Sequence, residues 1–370
     1  MKELENARAA IREADEQMAR LFLRRMEAVK DVAAYKQSHG LPVMDKKQEQ
    51  RVLEAGAARV EDAELRAYYL QFLQQTMALS RNYQHRLLEG MRVAFSGVEG
   101  AFAHIAAKRI FPDGVPVGYG SFEDAYEAVR AGECDCAVLP IENSYAGEVG
   151  QVIDLMFGGE LFVNGVYDLP ITQHLLGVEG AQLSDIHTVL SHPQALSQCA
   201  SYIRRHGLDQ HKTSNTAVAA QTVAEKGDIH TAAIASYETA ALYGLAVLDH
   251  DINESKQNTT RFAVFSRAEN RPASGRSDAR FLLLFSVNNT AGSLARAISV
   301  IGEYGFNMNA LRSRPLRELP WQYYFYVEAE GDEDSENGRR MLAALKEQCN
   351  TLKLVGHFTA APGDLKEEEA

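Results

Sequence analysis

A chain of 370 residues is long enough for two or three domains, and 46% hydrophobic with 24% charged residues is the make-up of folded globular protein, not of a disordered chain. The net charge of −12 disfavours nucleic-acid binding as the main role. The first 90 residues nevertheless hold 15 basic and 14 acidic side chains, so an anionic small molecule can be received there. Four cysteines (Cys134, Cys136, Cys199, Cys349), with no secretory leader ahead of them and no zinc spacing, fit small buried residues of a cytoplasmic protein. The charged start lacks the apolar run of a signal peptide or membrane span.

Only Gly40, Gly56, Gly90 and Pro42 interrupt residues 1–90, which therefore read as helices. A heptad runs through Leu4, Ala7, Ile11, Ala14, Met18, Leu21, Arg25, Ala28, Val32 and Tyr35. A helix of that extent is about 50 Å long, too long for a small monomer to cover, so a dimeric bundle is expected. Helices at 45–57 and 62–88 complete a three-helix unit. From Arg92, short apolar runs (Val93–Phe95, Cys136–Ile141, Thr188–Leu190, Ala232–Ala235, Ala246–Leu248, Phe262–Phe265) alternate with amphipathic ones. That alternation predicts an α/β domain, and its length predicts two lobes with a cleft between them over 91–267. A polar linker at 268–279 precedes a βαββαβ unit at 280–360, the ferredoxin-like order, and an acidic tail at 361–370.

Arg25 occupies a heptad core position, and Lys36 lies 11 residues on, about 20° away on the same helix face. Either an internal salt bridge to Asp45 or Glu49, or an anionic ligand, satisfies them. Arg8 is roughly 25 Å along the helix from Arg25 and reaches that pocket only from an antiparallel partner. Ser80 and Gln84 add neutral hydrogen-bonding groups at i, i+4. No nucleophile stands beside a base, and no metal cluster is present in this set, which suits clamping a dicarboxylate. Over residues 4–88 the chain resembles the all-helical chorismate mutases, through Arg8, Arg24-Arg25, Lys36, Pro42-Val43, Asp45, Glu49, Ser80 and Gln84. The resemblance implies a dimer with exchanged helices that holds chorismate compactly and stabilises charge at the breaking ether bond. It implies catalysis by Arg8, Arg25, Lys36, Glu49 and Gln84, with substrate contacts from Asp45, Gln48 and Ser80. Gln48 stands where the family usually has an arginine. The rearrangement needs no cofactor, and none is expected.

In the middle domain, polar groups gather at strand ends: Glu142-Asn143-Ser144, Ser191-His192-Pro193-Gln194 and Asn215-Thr216. Each of the last two is also readable as a helix N-cap. Thr259-Thr260-Arg261 opens the apolar strand Phe262–Phe265. With EGAF (99–102), PIENS (140–144), SHPQALSQC (191–199) and AAIASYETAALYGL (232–245), residues 92–267 closely resemble prephenate dehydratase. That resemblance implies two lobes like a periplasmic binding protein, an essential Thr260, and active-site roles for Asn143 and Gln194. Arg261 and the helix N-termini are expected to hold the substrate carboxylates, with contacts from Glu142, Ser144, Ser191, Asn215, Thr216 and Thr259. His104 and His192 are readable as bases or as structural residues.

The C-terminal unit resembles a regulatory ACT domain through Gly292-Ser293-Leu294, Gly305-Phe306-Asn307 and Ser313-Arg314-Pro315. Phenylalanine is the effector this implies, with Gly292, Ser293, Leu294, Asn307, Ser313 and Arg314 as its contacts. Arg312 stands where the family has a glutamate, and pairing with Glu318 or a partner's acid is expected. The order of the three units is that of bifunctional enzymes of phenylalanine biosynthesis. It implies chorismate and prephenate as substrates and a cytoplasmic homodimer or homotetramer, with neither nucleic acid nor membrane as partner. A non-catalytic amino-acid sensor and a dehydratase preferring arogenate are the alternatives.

Overall fold

A computed structural model describes residues 2–270, 278–316 and 319–359. Most of the expected linker (271–277), Glu318 and the tail 361–370 lie outside the described residues. The chain divides after Arg92 into two compact units.

The first unit contains α1 (Lys2–Ser38), α2 (Lys46–Ala57) and α3 (Ala63–Glu89). Gly40 ends α1 at φ +61°, and Leu41 N–H returns to the Lys36 carbonyl at 2.9 Å, the left-handed stop that glycine permits. Asp45 caps α2 by accepting from Gln48 N–H at 3.0 Å, and Asp62 caps α3, each cap stabilising by about 1 kcal/mol. Val29, Ala33 and Met77 form the buried seam between α1 and α3. Leu4, Ile11, Met18 and Leu21 of the same heptad remain between 48% and 63% exposed. One chain therefore covers only the C-terminal half of α1.

The second unit opens with β1 (Arg92–Ser96), α4 (Phe102–Ile110), β2 (Val115–Tyr119), α5 (Phe122–Arg130), β3 (Cys136–Asn143), β4 (Gly147–Glu148), α6 (Gly150–Gly158) and β5 (Phe162–Pro170). The chain then builds a second sheet from β6 (His174–Gly177), β7 (Thr188–Ser191), α7 (Pro193–Gln198), α8 (Ala200–His206), β8 (Asp209–Lys212), α9 (Thr216–Lys226), β9 (Thr231–Ala235), α10 (Tyr237–Tyr243) and β10 (Ala246–Asp249). It returns to the first sheet as β11 (Thr259–Ser266). The sheet orders are β2-β1-β3-β11-β5, with β4 on β3, and β10-β6-β9-β7-β8. This is a two-lobed α/β domain. The near-continuous apolar runs of β3 and β9 are buried because both faces of those strands are covered.

The chain continues through β12 (Ala279–Ser286), α11 (Ser293–Glu303), β13 (Asn307–Pro315), β14 (Tyr323–Glu330), α12 (Glu336–Gln348) and β15 (Thr351–Thr359), with antiparallel sheet order β13-β14-β12-β15. Alternation along β12 sends Phe281, Leu283 and Phe285 toward Ala297, Ile301, Met341 and Leu345 of the two helices. Leu282 and Leu284 point the other way, with Tyr324, Tyr326 and Val355, into the core of the first lobe. The contact is close: a Cβ at Gly356 of β15 would lie 2.0 Å from the Val163 carbonyl of β5. Among the described residues, no helix is long and apolar enough to cross a membrane. Cys134, Cys136 and Cys199 are buried, and desolvation pushes the Cys199 thiol up to about 12.

Candidate active sites

In the first unit a cavity of about 190 Å³ is lined by Arg25, Lys36, Asp45, Gln48, Glu49, Ser80 and Gln84, with Val29, Val32 and Met77 among its apolar walls. Arg25 donates to Ser80 Oγ and, at 3.4 Å, to the Thr76 carbonyl, and burial lowers its pKa. Lys36 Nζ donates to the Val43 carbonyl. Gln84 Nε2 reaches the Ser80 carbonyl at 3.3 Å. Gln84 Oε1 is buried and without a partner among the described residues, leaving that end of the amide for a ligand. The internal salt bridge considered for Arg25 and Lys36 is not formed. Glu49 pairs instead with Arg81, a cavity-lining cation that the sequence motifs do not single out. Asp45 is turned to its capping bond, and Arg8 is exposed and absent from this chain's cavity lining.

A second constellation forms where the two α/β lobes meet. β3 and β11 run antiparallel with Asn143 opposite Thr260. Asn143 Oδ1 accepts from Tyr145 N–H at 3.0 Å and Ala146 N–H at 2.9 Å, and from Gln194 Nε2 of the second lobe at 3.2 Å. Those two backbone donors fix the amide's orientation, so Nδ2 must face Thr260 Oγ1, to which it donates at 2.9 Å, and Asn258 Oδ1, also at 2.9 Å. Thr260 Oγ1 is thereby an acceptor from Asn143. Its own hydrogen has no protein acceptor among the described residues and is available to an incoming group.

Several expected substrate contacts are placed elsewhere. Arg261 and Glu142 follow and precede this couple in the strands, so alternation turns both away from it, toward the C-terminal sheet. There Arg261 holds Glu328 at 2.8 and 3.1 Å, and Glu142 pairs with Arg312. Burial opposes the charge of Arg261, and the bonds to Glu328 more than offset this, leaving its pKa raised. Arg312 thus meets Glu142 of its own chain. Ser191 Oγ is buried and donates to the Ile234 carbonyl at 2.6 Å. Ser144 Oγ donates to the Gln257 carbonyl at 3.2 Å and accepts from Thr259 N–H at 2.9 Å, which ties two loops together. Asn215 caps α9 through Val218 N–H at 2.8 Å, and Thr216 beside it is buried. The imidazoles of His104 and His192 accept from Gly100 and Gln194 backbone N–H groups. Desolvation lowers both pKa values, so each ring serves a turn as a neutral acceptor.

In the C-terminal unit, Gly292 caps α11 at φ +81°, a left-handed conformation that strains other residues. Ser293 Oγ bonds Thr290 Oγ1 at 2.7 Å, Leu294 packs on the helix-side core, and Asn307 donates to Glu330 at 3.2 Å. Ser313 lies on the exposed face of β13. Arg314, one residue on, is taken up by Asp154 at 2.9 and 3.1 Å and Glu148 at 2.8 Å, and so is turned into the first lobe.

Residues 7–85 match the family chorismate mutase type II, and residues 93–270 match prephenate dehydratase. The bifunctional chorismate mutase/prephenate dehydratase of Escherichia coli (strain K12) is 31% identical over 374 residues, 96% of each chain. Arogenate dehydratase/prephenate dehydratase 1, chloroplastic, of Arabidopsis thaliana is 34% identical over 282 residues, 72% of each chain. Two solved structures superpose with a TM-score of 0.68 over 73% of this chain. One, described as GqqA, a novel type of quorum quenching acylases, is 31% identical and 98% covered. The other, prephenate dehydratase from Arthrobacter aurescens in complex with L-Phe, is 28% identical and 90% covered. Matched in both catalytic segments and along nearly its whole length, the chain belongs to the bifunctional chorismate mutase/prephenate dehydratase family.

Proposed function

We propose that the cavity of the first unit rearranges chorismate to prephenate and that the Asn143–Gln194–Thr260 cluster converts prephenate to phenylpyruvate. The observation that carries the second assignment is the orientation of the Asn143 amide, which leaves the Thr260 hydroxyl free to donate. In the dehydration, the bond from the ring to its carboxylate breaks and CO2 leaves. That electron pair enters the ring, which becomes aromatic as the C–O bond to the ring hydroxyl breaks. The oxygen departs as water, taking one proton from solution by way of the Thr260 hydroxyl. The two sheets, linked by one chain passage out and one back, provide lobes that close over the ligand like those of periplasmic binding proteins and exclude water. Turnover of prephenate by the full chain, read as phenylpyruvate absorbance in base, tests this assignment. Running arogenate alongside tests the second reading, which the Arabidopsis relative's name favours.

In the mutase cavity Arg25, Lys36 and Arg8 of the partner subunit clamp the two carboxylates, and the amide of Gln84 meets the ether region. The exposed apolar heptad of α1 supports the dimer this requires. Arg81 adds a cation beside Gln48 and holds Glu49. Arg81→Ala is expected to raise KM for chorismate roughly tenfold while prephenate turnover is unchanged, measured by steady-state kinetics on both substrates.

The domain limits in this reading are 1–90, 91–267 and 280–360, the last an ACT domain that binds phenylalanine in a cytoplasmic enzyme, where thiols such as Cys199 stay reduced. The βαββαβ order and the L-Phe complex of the Arthrobacter protein support the effector. Gly292→Val forces a side chain into φ +81° and brings it within 3.0 Å of Arg296. Phenylalanine inhibition is expected to weaken by at least about fivefold in this variant, read as the shift in half-inhibiting concentration.

A further inference from the structure

The strands that carry Asn143 and Thr260 have a second face, and it is clasped by the C-terminal sheet. Thr260 stands opposite Asn143 across the β3–β11 ladder, and the next rung pairs Arg261 with Glu142. Alternation gives the first couple to Gln194 and the second couple to β13 and β14. On that second face Glu142 forms an ion pair with Arg312 of β13 and lies 3.9 Å from Arg261. Arg261 grips Glu328 of β14 with both terminal nitrogens, and Glu328, only 1% exposed, is also held by Arg280 of β12 at 3.2 Å. The Arg312 guanidinium lies 5.4 Å from the centroid of the buried Tyr326 ring, which limits where it can go.

Glu142 and Asn143 share a peptide plane, and so do Thr260 and Arg261. A displacement of β13 that drags Arg312 therefore turns Glu142 and, through the backbone, the amide that aims the Thr260 hydroxyl. That amide is held by bonds to Thr260, Asn258, Gln194 and two backbone donors, so it cannot swivel independently to compensate. We propose that Arg312 is a positioning residue for the dehydration: it holds Glu142, and together with the Arg261–Glu328 pair it makes the C-terminal sheet the support on which Asn143 and Thr260 are aligned. The inference rests on the dehydratase reading of the Asn143–Thr260 cluster. A ligand that shifts β13 changes turnover through this pair, without entering the cleft between the lobes.

The test uses the full chain with Arg312→Ala, the isosteric Glu142→Gln, and both together, with kcat and KM for prephenate measured beside mutase turnover and the near-ultraviolet circular dichroism spectrum. A misalignment of about 1 Å lowers turnover by up to about 100-fold, so each single variant should lose at least about tenfold in kcat with KM within about twofold of the unmodified chain. The double variant should be no worse than the poorer single one, because both remove one interaction. Unchanged kcat in either folded single variant, or a loss that appears only in KM, overturns the proposal. Loss of the folded spectrum in both single variants makes the pair structural and overturns it as well. Absence of prephenate turnover in the unmodified chain would instead remove the dehydratase reading itself.

Discussion

Thr260→Val should lower phenylpyruvate formation by about 10²- to 10⁴-fold while chorismate turnover stays within about twofold. Valine keeps the volume of threonine and removes the hydroxyl, so the lost group is the proposed donor to the leaving oxygen and the acceptor for Asn143 Nδ2. Asn143 retains Asn258 Oδ1 at 2.9 Å and its two backbone donors, so the remaining cluster stays in place. The mutase cavity belongs to the other compact unit and is untouched. Prephenate should therefore accumulate from chorismate, as followed by chromatography. Phenylpyruvate at near-normal rates would end the leaving-group role of Thr260.

Arg25→Ala should lower mutase turnover by about 10²- to 10³-fold, since it removes a preoriented cation from a partly desolvated cavity. Arg8→Ala should have a comparable effect for a different geometric reason. Arg8 lies 17 residues up α1, roughly 25 Å away, on a stretch whose apolar neighbours one chain leaves uncovered. If the partner subunit supplies Arg8, each of these inactive chains has what the other lacks. In a hybrid dimer one of the two sites contains both arginines, so equal mixing should restore up to about a quarter of normal mutase activity. Hybrids demonstrated by differential tagging and found inactive would contradict the exchanged-helix pocket.

The parts of the fold legible in the sequence are those set by local periodicity and punctuation. The stretch before Gly40 reads as helix because apolar residues recur at heptad spacing, and the βαββαβ order at the C-terminal end follows from alternating apolar runs with polar turns. β8, with the sequence Asp209-Gln210-His211-Lys212, gives no such signal, because an edge strand exposed along its length needs no apolar residue. β5 is interrupted by Asn164, Gly165 and Asp168, and its burial comes from neighbours far along the chain.

The candidate sites divide in the same way. Asn143, Gln194 and Thr260 stand at the ends of apolar strands or at a strand-to-helix turn, where polar residues call for an explanation, and the structure joins them by hydrogen bonds. The destinations of Arg261, Glu142, Arg312 and Arg314 were not legible. Side-chain alternation sends adjacent residues to opposite faces, and their partners lie between 67 and 170 positions away in the chain. Arg81 escaped notice because one arginine on a charged helix looks solvated, and only the packing of α2 on α3 reveals Glu49 beside it.

The most direct test of the whole account is one incubation of the purified chain with chorismate alone, products being separated over time. Chorismate should be consumed, prephenate should appear transiently, and phenylpyruvate should accumulate with one equivalent of CO2 and no added metal or cofactor. Chorismate left unconverted, or prephenate accumulating as the final product of the unmodified chain, would contradict the account.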